Sequence, residues 1–165
     1  MAVRPVCRLP AAVLKRRAEP LAGATDDDLV ADLVDTMRAS PACVGLAAPQ
    51  IGVPRRAFAL DVGGHRKTTV SHGLVVLFDP AIVESSGRTV GREGCMSVPD
   101  LTANVARATS IVVAGTAPDG ERRVIATEGF EARAFQHEID HLDGMLILDR
   151  VASLATDVFR RKVYE

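Results

Sequence analysis

The chain has 165 residues, of which 47% are hydrophobic and 25% charged, enough for one domain with a buried core and ordinary for a water-soluble globular protein. A formal net charge of −1 gives no sign of nucleic-acid, membrane-surface or acidic-ligand binding, and no apolar run reaches the ~20 residues of a bilayer span. Met1 to Arg8 lack the pattern of a secretory signal, and Cys7, Cys43 and Cys95 show no disulfide-framework spacing, so a reducing cytoplasmic setting is expected.

Pro10 to Glu19 reads as a short helix ended near Pro20. Asp26-Asp27-Asp28 then supplies acidic residues suited to a helix N-terminus, and Leu29, Leu33, Val34 and Met37 follow at helical spacing until Pro41. Beyond it the period shortens. Ala57 to Val62, Leu74 to Phe78, Ala81 to Val83, Thr109 to Ala114 and Arg123 to Thr127 are β-rich runs. Turn signals separate them at Gly63-Gly64, Asp79-Pro80, Ser85-Ser86-Gly87 and Pro118-Asp119-Gly120. The polar loop Gly63 to Gly73 holds His65 and His72, neither in a ligand pattern.

A helix is expected from about Glu128 to His141, ended by Gly144, and a C-terminal helix from about Ser153 to Tyr164. The short basic spots Arg16-Arg17, Arg122-Arg123 and Arg160-Arg161-Lys162 read as solvated surface. Without repeats or linkers, residues 1–165 are read as a single α+β domain, with antiparallel or mixed sheets around the helix over 128–141.

The strongest chemical signal is Gln136-His137-Glu138-Ile139-Asp140-His141. Histidines four apart on a helix share one face, with Cβ atoms about 5–6 Å apart, so both imidazoles can reach one metal ion. Glu138 projects about a quarter-turn away, which suits an acid/base partner better than a third ligand. A hydrolytic centre typically has three protein ligands and an open position. Asp143, Asp149, Asp157 and Glu165 follow the motif, as a zinc endopeptidase would require. The stronger candidate is Cys95 in Glu93-Gly94-Cys95-Met96-Ser97, since a thiolate binds soft and borderline divalent metals well. In Val44-Gly45-Leu46-Ala47-Ala48-Pro49-Gln50, small residues let backbone approach a site closely, and Gln50 brings a neutral donor. By helical spacing, Phe130 and Ala134 share the face of His137, so with Val44 they are candidates for an apolar substrate wall. Arg133 lies on nearly the same face, either paired with a carboxylate such as Glu131 or Asp140 or standing as a cation at the pocket mouth.

Taken together, the three segments resemble the three motifs of the bacterial-type peptide deformylases, in the same order and at similar separations. The resemblance implies an α+β fold and removal of the N-formyl group from the initiator methionine of new polypeptides, releasing formate. It implies one divalent metal ion, natively iron(II) and replaceable by zinc, nickel or cobalt, bound by Cys95, His137 and His141, with Glu138 handling protons. The Gln50 side chain and the Met96 backbone N–H would polarise the formyl oxygen, and Gly45 would meet the substrate backbone. The partners implied are N-formylmethionyl nascent chains, met at the ribosome, with a monomer favoured over an oligomer. This chain departs from the family at Cys43, where glycine is usual, at Met96, where leucine is usual, and at Thr102, which replaces a substrate-holding arginine of some members; Arg107 remains nearby. Cys43 and Thr102 support the alternative of a metal-retaining relative that binds formylated peptides with little turnover, and the complete set of Cys95, His137, His141 and Glu138 argues against it.

Overall fold

The computed structural model describes residues 2–161, and its elements are arranged around α2 (Gly129–Leu142). The first helix, α1 (Asp27–Ala39), forms as expected. The Asp26 carboxylate accepts from the Leu29 N–H at 3.0 Å, and Asp27 and Asp28 place negative charge in the first turn, where the helix dipole favours it. Leu29, Leu33 and Met37 fall on one face and pack against Leu46, Ala57, Ala59 and Phe78.

Those partners belong to a sheet of five antiparallel strands: β1 (Gly45–Ala47), β2 (Ala57–Leu60), β3 (Val75–Ser86), β6 (Ser110–Thr116) and β7 (Arg122–Glu128), side by side in that order. A second antiparallel sheet is made of β4 (Thr89–Cys95), β5 (Val98–Arg107) and β8 (Val158–Arg160). The two sheets grip α2 by different forces. Ala132, Phe135, Ile139 and Leu142 bury apolar surface against Phe58, Leu60, Leu77, Ile111 and Val113 of the larger sheet. To the smaller sheet α2 is joined by ion pairs: Arg107 of β5 with Asp140, and Glu93 of β4 with Arg133 and His137. A third apolar cluster joins Cys95, Val98, Ala103 and Val105 to Leu14, Leu146 and the short helix α3 (Ile147–Arg150).

Several expectations are corrected. Pro10 to Glu19 forms a single 3₁₀ turn, Ala12–Lys15, rather than a helix across the segment. Asp79-Pro80 does not end a strand. Asp79 takes φ 49°, tolerable for an aspartate, and its carboxylate accepts from the Leu21 and Ala22 N–H groups at 2.8 and 2.9 Å; β3 runs on through a bulge. The strands β4 and β5 were not expected, because glycine, proline and charged residues break their alternation. The expected C-terminal helix is absent over its described part. Asp157 folds the chain back, accepting from the Ser153 N–H at 3.0 Å, and Val158–Arg160 then adds to the edge of β5. Pairing with an open strand outweighs local helix propensity there. Lys162 to Glu165, including Tyr164, lie outside the described residues.

Candidate metal centre

Three local structures deliver the candidate residues to one place. β4 and β5 form a tight hairpin in which Cys95 faces Val98, leaving Met96 and Ser97 as its turn. A register shift between Gly94 and Cys95 accompanies this turn. α2 carries His137 and His141 one turn apart, their ring centroids separated by 5.1 Å. Gly144, with φ 74°, ends that helix where a Cβ would stand 2.8 Å from the Lys15 carbonyl oxygen, so only glycine fits. The 3₁₀ turn Ala48–Ile51 after β1 brings in Gln50. The ligand atoms of Cys95, His137 and His141 lie within 4.8 Å of one another, with Cys95 Sγ 3.4 Å from His141 Nε2.

The electrostatics favour a thiolate at Cys95 and a proton on His137, a proton that must leave before that ring nitrogen can bind a metal. Burial opposes ionisation of Cys95, but the two histidines beside it prevail and hold its thiol well below the ordinary value. Burial likewise opposes a charge on His137, yet hydrogen bonds to Cys95 and Glu93 raise its pKa well above normal. His137 Nδ1 lies 2.9 Å from Glu93 Oε1, which turns its Nε2 toward the cysteine, an orientation typical of a metal-binding imidazole. Glu93 is itself held by Arg107 and Arg133, and despite burial its carboxyl stays below the usual carboxylate range. A thiolate with two imidazole nitrogens is a donor set suited to a borderline divalent ion. Among the described residues the buried side-chain polar atoms lacking a partner are Glu138 Oε1 and His141 Nδ1, both in this cluster, so protein groups alone leave it incompletely satisfied. The other carboxylates considered as third ligands are engaged elsewhere: Asp143 with Arg56 and Arg17, Asp149 with Lys15, and Asp157 in its turn. Glu165 lies outside the described residues.

Glu138 is buried against β1, where its carboxylate lies so close to Gly45 that a Cβ there would come within 2.5 Å of Oε2. Burial raises its pKa, a property useful in a group that must both take and return a proton. The Gln50 carbonyl oxygen accepts from the Ala47 N–H at 3.0 Å, which fixes the amide so that Nε2 points at Cys95 Sγ (3.7 Å) and Ser97 Oγ (3.2 Å).

A cavity of about 310 Å³ opens onto this cluster. Val44, Gly45, Gln50, Met96, Phe130 and Ala134 all line it, so the structure gathers these candidates beside the Cys95, His137 and His141 cluster. Cys43 also lines it, donating to the Gly45 carbonyl at 3.1 Å, and burial pushes its thiol up to about 12. Other lining residues carried no usable sequence signal. His65 stacks on Phe130 with centroids 4.3 Å apart, and Arg66, Lys67, Arg92 and Arg161 surround the opening. Arg161 is therefore a cleft residue and not one of a plain surface cluster. Arg133 lines the cavity too, but its guanidinium is spent on Glu93 and the Val105 and Thr89 carbonyls, not on Glu131 or Asp140.

The chain is similar to known proteins. The sequence model of the polypeptide deformylase family matches residues 3–157. A peptide deformylase of Carboxydothermus hydrogenoformans is 43% identical over 156 residues, covering 93% of this chain and 97% of the relative. The crystal structure of a peptide deformylase from Legionella pneumophila superposes with a TM-score of 0.81 at 38% identity, covering 93% of this chain and 88% of that one. The peptide deformylase of Ehrlichia chaffeensis in complex with actinonin gives 0.85 at 29% identity, covering 94% and 92%.

Proposed function

Given that the chain belongs to the polypeptide deformylase family, and so is a metal-dependent hydrolase removing the formyl group from newly made polypeptides, we propose how its own residues divide that task. The reading rests on one observation: the ligand atoms of Cys95, His137 and His141 converge within 4.8 Å beside a buried, unpaired carboxylate oxygen of Glu138. Cys95, His137 and His141 hold one divalent ion, iron(II) natively, with zinc, nickel or cobalt able to replace it. When bound, that ion supplies Lewis acidity, activating water near neutral pH and polarising a carbonyl.

The remaining work falls to the protein. Glu138 takes the proton of the attacking water and returns it to the leaving amine, so that formate departs and the methionine amine is freed. Gln50 Nε2 and the Met96 backbone N–H donate to the formyl oxygen as negative charge gathers on it, a type of contact worth ~3–4 kcal/mol per donor. The methionine side chain enters the apolar wall of Val44, Phe130 and Ala134, and the Gly45 backbone meets the peptide. The closeness of Gly45 to Glu138 suits a formyl group, whose carbon carries only hydrogen, and disfavours bulkier acyl groups. We assign the whole of residues 1–165 to one catalytic domain that acts as a monomer on chains emerging from the ribosome in the cytoplasm. No helix among the described residues is long and apolar enough to cross a membrane.

The decisive variant is Glu138→Gln. It should keep a full equivalent of metal while formate release from formyl-Met-Ala falls by ~10²–10⁴-fold. Turnover above about a tenth of the parent's would refute the proton-transfer role.

A further inference from the structure

Building on the deformylation reading, we infer that the cleft selects formyl-methionyl chains with acidic residues two and three positions after the methionine, because four cations line its opening with no carboxylate partner among the described residues. The four are Arg66, Lys67, Arg92 and Arg161. Among the described residues none of them forms an ion pair, whereas many other cations of this chain do: Lys15, Arg38, Arg56, Arg123 and Arg150 each reach an aspartate. The carboxylates that line the same cavity do not offset them. Glu93 is neutralised by Arg107 and Arg133, and Glu138 lies at the floor beside the metal ligands.

The cations come from two separate parts of the fold, and the loop that carries Arg66 and Lys67 is anchored. Arg66 and Lys67 sit in the loop between β2 and β3. That loop is anchored where the buried Glu131 carboxylate accepts from the His72 N–H at 2.7 Å, and where His65 stacks on Phe130. On the smaller sheet, Arg92 lies over the Phe159 ring at 3.6 Å and donates to Asn104 Oδ1 at 3.0 Å, and among the described residues no carboxylate pairs with it. Arg161 follows β8, and its guanidinium lies against Gly94, one residue before Cys95. A peptide whose formyl end reaches the metal ligands occupies the cavity that these cations line. Low-dielectric walls carrying one sign of charge concentrate ligands of the other sign and repel their own. The net charge of −1 conceals this local excess.

The test compares amidated peptides, formyl-Met-Ala-Glu-Glu, formyl-Met-Ala-Ser-Ser and formyl-Met-Ala-Lys-Lys, with metal-loaded protein and formate release as the readout. At ~10 mM ionic strength, where charges still act across a screening length of ~30 Å, kcat/KM should favour the acidic peptide over the basic one by about tenfold or more, chiefly through KM. The preference should shrink several-fold at ~0.15 M, where the screening length is ~8 Å. Arg161→Gln, and separately Arg66→Gln with Lys67→Gln, should each bring the acidic-to-basic ratio closer to one. Equal kcat/KM for the acidic and basic peptides at low salt, with formate released from both, would overturn the charge selection and leave deformylation standing. A ratio unmoved by both variants would also overturn it. No formate from any of the three peptides would instead refute the reaction assigned to the site, and the selection with it.

Discussion

Arg107→Met separates the two forces that hold α2. The Arg107 side chain is only 4% exposed, and it donates through Nε and Nη2 to Glu93 at 3.0 and 2.9 Å and through Nη1 to Asp140. It thus ties β5 to β4 and to the metal-binding helix at once. Methionine keeps most of the stem's volume but removes the cation, leaving two buried carboxylates short of a partner. Removing one member of a buried ion pair typically costs ~3–5 kcal/mol. Here Glu93 keeps Arg133 and His137, and Asp140 keeps Arg150, so the lower end applies, about 3 kcal/mol. For a chain of this length that corresponds to a fall in Tm of about 6–12 °C. Thermal unfolding at a fixed metal concentration measures it, since metal binding itself stabilises the folded state. Metal affinity should weaken by ~10–100-fold as well, because Glu93 orients His137 and loses its bidentate support. Arg107→Lys should recover only part of both effects, since an ammonium cannot reproduce the planar fork. A Tm within about 2 °C of the parent's, with metal affinity unchanged, would refute the structural role assigned to this network.

Gly45→Ala should leave fold and metal content intact while kcat falls by ~10²-fold, since the new methyl must displace the Glu138 carboxylate; unchanged kcat would refute that contact. Ala134→Phe should raise KM for formyl-Met peptides by the equivalent of ~1–3 kcal/mol with metal content unchanged, and normal processing would mean that this helix face does not receive the methionine. Glu131→Ala removes the acceptor shared by the His72 N–H, the His72 ring and the Thr127 hydroxyl, at a cost of ~1–3 kcal/mol. It should also speed amide exchange across residues 63–73; an unchanged exchange pattern would show that the loop is held by other contacts.

What the sequence made legible follows from the range of the interactions involved. α1 and α2 were readable because capping and amphipathic spacing act within a few residues: Asp26 on Leu29, and Leu29, Leu33 and Met37 on one face. β2, the first half of β3 and β6 were readable as apolar runs because they are buried; β7 was read as a β-rich run although most of it is exposed, and β1 was not among the runs read. β4 was not read either, since Thr89 to Arg92 lie largely exposed and alternate no apolar residues; it is a strand because β5 pairs with it. β8 exists for the same reason, since β5 offered a free edge that local propensity could not reveal. Asp79-Pro80 carried a true local signal for a backbone irregularity, and only the long-range hydrogen bonds to Leu21 and Ala22 decide that it is a bulge and not a turn.

The site divides along the same line. Two ligands stand four apart on one helix, and their chemistry could be inferred from spacing alone; Cys95 needed the expectation that a third ligand must exist. Gly45 was readable only as a place where backbone can come close, and the group that comes close, the Glu138 carboxylate, is distant in sequence. Glu93 stood inside a motif without a role, because its function depends on His137, Arg107 and Arg133 arriving from α2 and β5. The cations at the opening come from a loop, a strand and the segment after β8, with no common period. Arg66, Lys67, Arg92 and Arg161 each resemble any other solvated basic residue until the fold sets them around one cavity. Only the helix-borne pair is therefore written in a short spacing, while Cys95 and Gln50 arrive from other elements. The proposed charge selection would need only charges lining the cavity, so it could be altered at scattered positions without disturbing any motif.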